Sequence, residues 1–175
     1  MKTPRIFLVG PPGAGKTTLG RRWAKRLQMP FYDTDDEILR RTGRSVEEWF
    51  AQGESAFRKA ERQTIEQTIT EHGWGIWAVG GGFPTQEGAM TFLRTAGYTI
   101  WIDSPSEWIL ARLRHSTVKR PLLHTLSDQE RLTLIEKRRV YYRCADLHWR
   151  PDLVPEELLL DWLRRIVKAS FVEVF

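Results

Sequence analysis

A chain of 175 residues, 41% hydrophobic with eight tryptophans, can bury a substantial core, and a single domain over 1–175 is expected. Its net charge of +5 arises from basic and acidic residues interleaved along most segments, with no dense Lys/Arg block and no recognition motif, which argues against nucleic acid as the partner. No apolar stretch approaches the roughly twenty residues of a membrane span, no signal-peptide core precedes the first strand, and the lone Cys144 cannot form an internal disulfide, so a cytoplasmic protein away from membranes is expected.

The apolar run Ile6-Phe7-Leu8-Val9 reads as strand one, and Gly10-Pro11-Pro12-Gly13-Ala14-Gly15-Lys16-Thr17 follows it directly. The octapeptide fits G-x-x-x-x-G-K-[ST], a loop whose backbone N–H groups turn inward on phosphate oxygens with the positive end of a helix behind them. Nucleotide phosphate is therefore assigned to residues 13–18, with Gly13, Ala14, Gly15 and Thr18 in the cradle, Lys16 reaching the transferring phosphates and Thr17 offering its hydroxyl to magnesium. Pro11 and Pro12 sit early in the loop, where their missing N–H groups remove no donor. Helical spacing of Leu19, Trp23 and Leu27 places a helix over Thr17–Leu27.

Phe31-Tyr32-Asp33 is a short second strand, with Asp33 and Asp35 at its C-terminal end, where open parallel sheets bind ligands. Residues two apart on a strand face one way, so this pair is expected to share a cleft; capping of the next helix is the competing role. Short helices follow over Asp36–Thr42 and from the capping box Ser45-Val46-Glu47-Glu48, and a long one over about Glu54–His72 carries Arg58 near its start. Ile76-Trp77-Ala78-Val79 reads as a strand buried on both faces, ending in Gly80-Gly81-Gly82. Thr99-Ile100-Trp101-Ile102 is the next strand, and Ser104-Pro105-Ser106-Glu107 reads as a capping box before a helix through Leu110. His115 to Leu126 lacks periodicity and reads as a mobile lid. The box Ser127-Asp128-Gln129-Glu130 opens a helix through Tyr142, a weak strand spans Asp146–Trp149, and Pro155-Glu156-Glu157 begins an amphipathic terminal helix. The alternation predicts a three-layer α/β/α domain around a parallel sheet of about five strands. Cys144 reads as a partly buried structural thiol, and the four histidines show no metal-ligand spacing.

The series Asp33-Thr34-Asp35, Phe57-Arg58, Gly80-Gly81-Gly82, Arg120-Pro121-Leu122-Leu123 and Arg138 with Tyr142 resembles shikimate kinase, in the same order and over nearly the whole chain. The resemblance implies a P-loop fold of the nucleoside monophosphate kinase type, acceptor-binding helices over about 36–72 and a lid over about 115–127. It implies ATP-dependent phosphorylation of the shikimate 3-hydroxyl; magnesium is expected with the ATP, and the chain is expected to be a monomer. By resemblance Asp35 contacts the acceptor hydroxyl as base, and Asp33 helps place magnesium through water. Arg58 and Arg138 grip the acceptor carboxylate, a task that suits the guanidinium fork. Gly80, Gly81 and Gly82 contact substrate through backbone, Phe50 and Phe57 wall its ring, and Arg120 folds over the phosphates. Arg112 is the candidate for adenine stacking, with an ordinary surface arginine as the other possibility.

Departures from the family pattern fall at four places. The usual R-x-P-L-Y reads Arg138-Arg139-Val140-Tyr141-Tyr142, so Arg139 competes with Arg138. Ala78-Val79 replaces a hydroxyl residue before the glycines, Phe83-Pro84 is expected to reshape the acceptor pocket, and Trp149-Arg150 stands where adenine contacts are usual. A kinase for another small hydroxylated acid and a nucleotide-dependent switch both stay open, although no N-K-x-D guanine motif supports a GTPase.

Overall fold

The computed structural model describes residues 4–116, 123 and 125–172. Five strands, β1 (Arg5–Val9), β2 (Phe31–Asp33), β3 (Gly75–Ala78), β4 (Tyr98–Ile102) and β5 (Leu147–Trp149), form one sheet in the order β2-β3-β1-β4-β5. Every neighbouring pair is parallel, with Phe7 opposite Trp77 on one side and Thr99 on the other. Around it run α1 (Lys16–Leu27), α2 (Thr34–Thr42), α3 (Val46–Ala51), α4 (Glu54–Glu71), α5 (Ala89–Ala96), α6 (Ser106–Arg114), α7 (Asp128–Tyr142) and α8 (Glu156–Val172).

The sheet is covered on both faces, which is why its central strands read as unbroken apolar runs. Ile6 and Leu8 of β1 pack toward Trp23 and Ala24 of α1 and Leu159, Leu160 and Leu163 of α8. Phe7 and Val9 pack the opposite way, toward Ile65 and Ile69 of α4, Met90 and Leu93 of α5, and Tyr142 of α7. All four strand residues are fully buried.

Between β1 and α1 the chain turns through Gly13 at φ 84° and Gly15 at φ 99°, left-handed values that side chains rarely adopt. Gly15 is the N-cap of α1, no side chain caps it, and no acidic residue occupies the first turn, so no side chain of that turn neutralises the positive helix end. The boxes at Ser45 and Ser127 form as expected, each serine oxygen accepting the third backbone N–H and each glutamate accepting the serine N–H in return.

Several expectations are corrected. Ser104 caps no helix: it is buried and its hydroxyl donates a long 3.5 Å bond to the Ala14 carbonyl, while Pro105 is the N-cap of α6. The loop behind the phosphate cradle has a stronger claim on that hydroxyl than the helix does. Asp35 is on α2 rather than on a strand, because β2 ends at Asp33 and the Asp33 side chain caps the helix. α5 has no counterpart in the sequence reading. Only eight residues long, it is held by burying Ala89, Met90 and Leu93 rather than by capping side chains. Cys144 is exposed rather than partly buried. Arg120 and most of the expected lid, at 117–122 and 124, lie outside the described residues. Among the described residues no helix is long and apolar enough to cross a membrane.

Candidate active site

At the C-terminal ends of β1, β2 and β3 the structure opens a cavity of about 670 Å³. One wall is the phosphate loop, where Gly13, Gly15, Lys16, Thr17 and Thr18 line the space; the Ala14 side chain is buried behind it. The Lys16 ammonium donates to the carbonyls of Gly10 at 2.8 Å and Pro11 at 2.9 Å, which folds the side chain back along the loop. Arg112, reaching over from α6, donates to the Gly13 and Ala14 carbonyls at 3.1 and 3.2 Å. It is exposed and tied to the loop through these two bonds.

The opposite wall comes from α2, α3 and α4. Asp33 and Asp35 both line the cavity, although one ends a strand and the other begins a helix. Phe50 and Phe57 pack with ring centroids 4.5 Å apart, and the Arg58 guanidinium lies over both, at 5.6 and 5.1 Å. Arg58 itself spans the glycine strand end: a Cβ added at Gly82 would fall 2.5 Å from Arg58 Nη2. A bare backbone there gives the guanidinium room to lie flat. Pro12 of the phosphate loop rests on Gly81 in the same way, with Cδ 2.7 Å from where a Cβ would be.

Arg138 on α7 lines the cavity, whereas its neighbour Arg139 turns away. Arg139 pairs with Asp103 at 2.7 Å and lies 5.1 Å over the Trp101 ring, so its guanidinium is committed to the far side of the helix. Tyr142, one turn beyond Arg138, donates its hydroxyl to the Gly81 carbonyl at 2.6 Å and accepts a bond from Arg138. Burial pushes that phenol well above its ordinary range, so it stays protonated and keeps the bond. Phe83 is fully buried under α4 and α7 and does not reach the cavity, so the departure at Phe83-Pro84 does not reshape the acceptor pocket.

Sequence reasoning missed Glu61. It lies one turn after Arg58, is 1% exposed, and accepts from Arg58 Nη1 at 2.9 Å and from Gln86 Nε2 at 2.8 Å through the same oxygen. Burial pushes its carboxyl up to about 7, and the charge of Asp35 adds to the rise, while Arg58 and Gln86 oppose it. The i, i+3 spacing to Arg58 was the available signal, but it is shared by many surface pairs.

A family model described as shikimate kinase matches residues 12–166. The chain belongs to the shikimate kinase family. It is 36% identical over 160 residues to the shikimate kinase of Aquifex aeolicus strain VF5, covering 91% of this chain and 94% of that one. Among solved structures, shikimate kinase from Acinetobacter baumannii in complex with shikimate superposes with a TM-score of 0.78 at 32% identity, covering 97% of this chain and 94% of the other. The enzyme from Bacteroides thetaiotaomicron gives 0.77 at 31% identity, over 95% and 97%. As a member of this family the chain is an ATP-using kinase, and ATP chemistry calls for a divalent metal. The residues present fit one: Thr17 Oγ1 and Asp33 Oδ2, 2.6 Å apart at the cavity wall, form a pair of hard oxygen donors.

Proposed function

We propose that this shikimate kinase family member transfers the γ-phosphoryl group of ATP to the shikimate 3-hydroxyl, giving shikimate 3-phosphate and ADP. One observation carries the assignment of residues: Arg58 of α4 and Arg138 of α7 open onto the same cavity as Asp35 and Lys16, although four separate elements supply them. Two guanidinium forks in one cavity suit a carboxylate-bearing acceptor, since each can bind both oxygens at once. Phe50 and Phe57 offer an apolar wall to the ring of that acceptor.

In this arrangement the acceptor carboxylate is held by Arg58 and Arg138, which directs its ring toward the strand end at Gly80-Gly81-Gly82. Asp35 receives the hydroxyl proton as the oxygen attacks, and a positioned carboxylate is worth roughly 10²–10⁴ in rate. The backbone N–H groups of residues 13–18 hold the nucleotide phosphates, and the Lys16 ammonium moves from its carbonyl partners to the charge developing on the transferred group. Magnesium is the metal we assign; Thr17 and Asp33 would hold it, and it would supply Lewis-acid stabilisation of the phosphate charge. Arg120 enters as the cation that arrives with the lid, a role carried by the resemblance alone. We take the working unit to be a cytoplasmic monomer, which sedimentation of the purified chain checks as to size.

Coupled ADP-release assays over shikimate and other small hydroxylated acids test the assignment, with the product located by phosphorus NMR. Turnover of a different acid at an equal or higher kcat/KM overturns it, as does ATP hydrolysis that shikimate leaves unchanged.

A further inference from the structure

The segment that follows the glycine strand end is fastened to α4 along one face of that helix. Arg58, Glu61 and Arg62, at i, i+3 and i+4, meet it in turn: Arg58 lies against Gly82, Glu61 receives the Gln86 carboxamide, and Arg62 donates to the Glu87 carbonyl at 2.7 Å. The segment itself is tightly wound. Phe83–Thr85 forms a 3-10 turn, Thr85 donates its hydroxyl to the Gly82 carbonyl at 2.7 Å, and the Gln86 N–H bonds back to Phe83 at 3.0 Å. Buried Phe83 anchors the turn from below. Gln86 is therefore delivered to Glu61 by a fixed backbone and not by a wandering loop.

Glu61 needs that delivery. A buried carboxylate must be paired and hydrogen-bonded to remain charged, and Arg58 supplies only one of the donors its oxygen accepts. Besides the Phe50 and Phe57 rings beneath it, Arg58 meets Glu54, which is largely exposed and takes Nε and Nη2 at 3.3 and 3.0 Å. An exposed partner of that kind contributes little to orientation. The bond that Arg58 Nη1 donates to the buried Glu61 carboxylate adds a directional hold to those two ring contacts and sets how the guanidinium is turned.

We propose that Gln86 is a positioning residue for acceptor recognition: its carboxamide N–H fixes Glu61 Oε2 where that oxygen holds Arg58, so that the remaining Arg58 N–H groups face the acceptor carboxylate. The inference rests on Arg58 being the carboxylate ligand. Among the described residues, the charged groups that act on Glu61 are Arg58 from its own helix and Asp35 from α2; β3 and the following turn bring backbone and the uncharged Gln86. Without Gln86 the ionised form of Glu61 faces Asp35 with one donor fewer, and its proton is held more tightly.

The test is steady-state kinetics of Gln86→Leu, Gln86→Lys and Arg58→Ala with both substrates varied. Gln86→Leu, which removes the donor, is expected to raise the shikimate KM about tenfold with the ATP KM and kcat within about twofold, as one charge-assisted bond implies. The acid limb of kcat/KM for shikimate should move up by about one pH unit in the same variant. Gln86→Lys restores a donor and should return the KM to within about threefold of the parent. An unchanged shikimate KM and acid limb in Gln86→Leu, beside a raised KM in Arg58→Ala, overturns this inference alone. An unchanged KM in Arg58→Ala overturns the carboxylate-ligand assignment beneath it. A loss in Gln86→Leu that falls equally on both substrates, with a lowered thermal midpoint and no rescue by Gln86→Lys, would mean the residue only folds the segment, and also overturns the inference.

Discussion

The Thr17 hydroxyl donates to Asp33 Oδ2 at 2.6 Å, joining the first turn of α1 to the end of β2 at one point. The other Asp33 oxygen accepts the Asp35 N–H at 3.0 Å and so starts α2. One carboxylate caps a helix and, in the proposed function, also serves the metal. Asp33→Asn separates the two, because asparagine caps as well as aspartate but is a poorer ligand for a hard cation. The magnesium concentration for half-maximal rate is expected to rise about tenfold while the thermal midpoint moves by less than about 4 °C. A magnesium titration at fixed ATP beside a melting curve measures both, and an unmoved titration removes Asp33 from the metal.

Asp35 stands in the first turn of α2 beside Asp33, facing the same cavity. Asp35→Asn keeps the size and loses the base. A fall in kcat of roughly 10²–10⁴-fold is expected, with ATP affinity measured by calorimetry little changed. Undiminished turnover would falsify its role.

Arg138 and Arg139 are adjacent in sequence and opposite in direction. Arg138→Lys should raise the shikimate KM by about tenfold or more, because the fork is lost while the charge stays. Arg139→Lys should leave that KM unchanged and destabilise the fold by about 1–2 kcal/mol through its weakened grip on Asp103 and Trp101. Paired kinetics and denaturant melts read the contrast; a reversed pattern would move the carboxylate contact to Arg139.

Glu61 links pH to stability and to binding with opposite signs. Its folded pKa, about 7, stands above the usual 4.5, so the folded state holds the proton longer than the unfolded chain does. The associated stability is fully present below about pH 4.5 and is lost as pH rises through about 7, a change of roughly 3 kcal/mol. Acceptor affinity runs the other way, because only the ionised carboxylate grips Arg58 fully. Melts of Glu61→Gln across this window should show a flatter stability profile, and its shikimate KM should lack the rise expected of the parent below about pH 7.

Most of the fold was legible because its signals are local. The apolar runs Ile6–Val9 and Ile76–Val79 carry their own burial, the phosphate loop carries its glycines, and Ser45 and Ser127 find their partners three residues on. What escaped depends on distant neighbours. Ser104 looked like a cap until the Ala14 carbonyl claimed it, and α5 has too short a pattern to stand out before β4 and Tyr142 pack beside it. Glu61 resembled any surface glutamate of a charged helix: Arg58 is a local neighbour three residues back, but Gln86 and Gly80 complete the burial from outside the local sequence. The choice between Arg138 and Arg139 likewise waited on Asp103, which is far away in the chain but 2.7 Å away in space.

Residues of β1 alternate between two cores, and the helices behind those cores divide by substrate. Ile6 and Leu8 back onto α1, which carries Lys16 and Thr17, the residues proposed for the donor; Phe7 and Val9 back onto α4 and α7, which carry Arg58 and Arg138, those proposed for the acceptor. The sheet is a party wall between two tenants. On the proposed roles, sequence drift on the acceptor side, at cavity residues such as Phe50 and Phe57, can retune which acid is admitted while the nucleotide side is left unchanged, so the two specificities can evolve at different speeds within one chain.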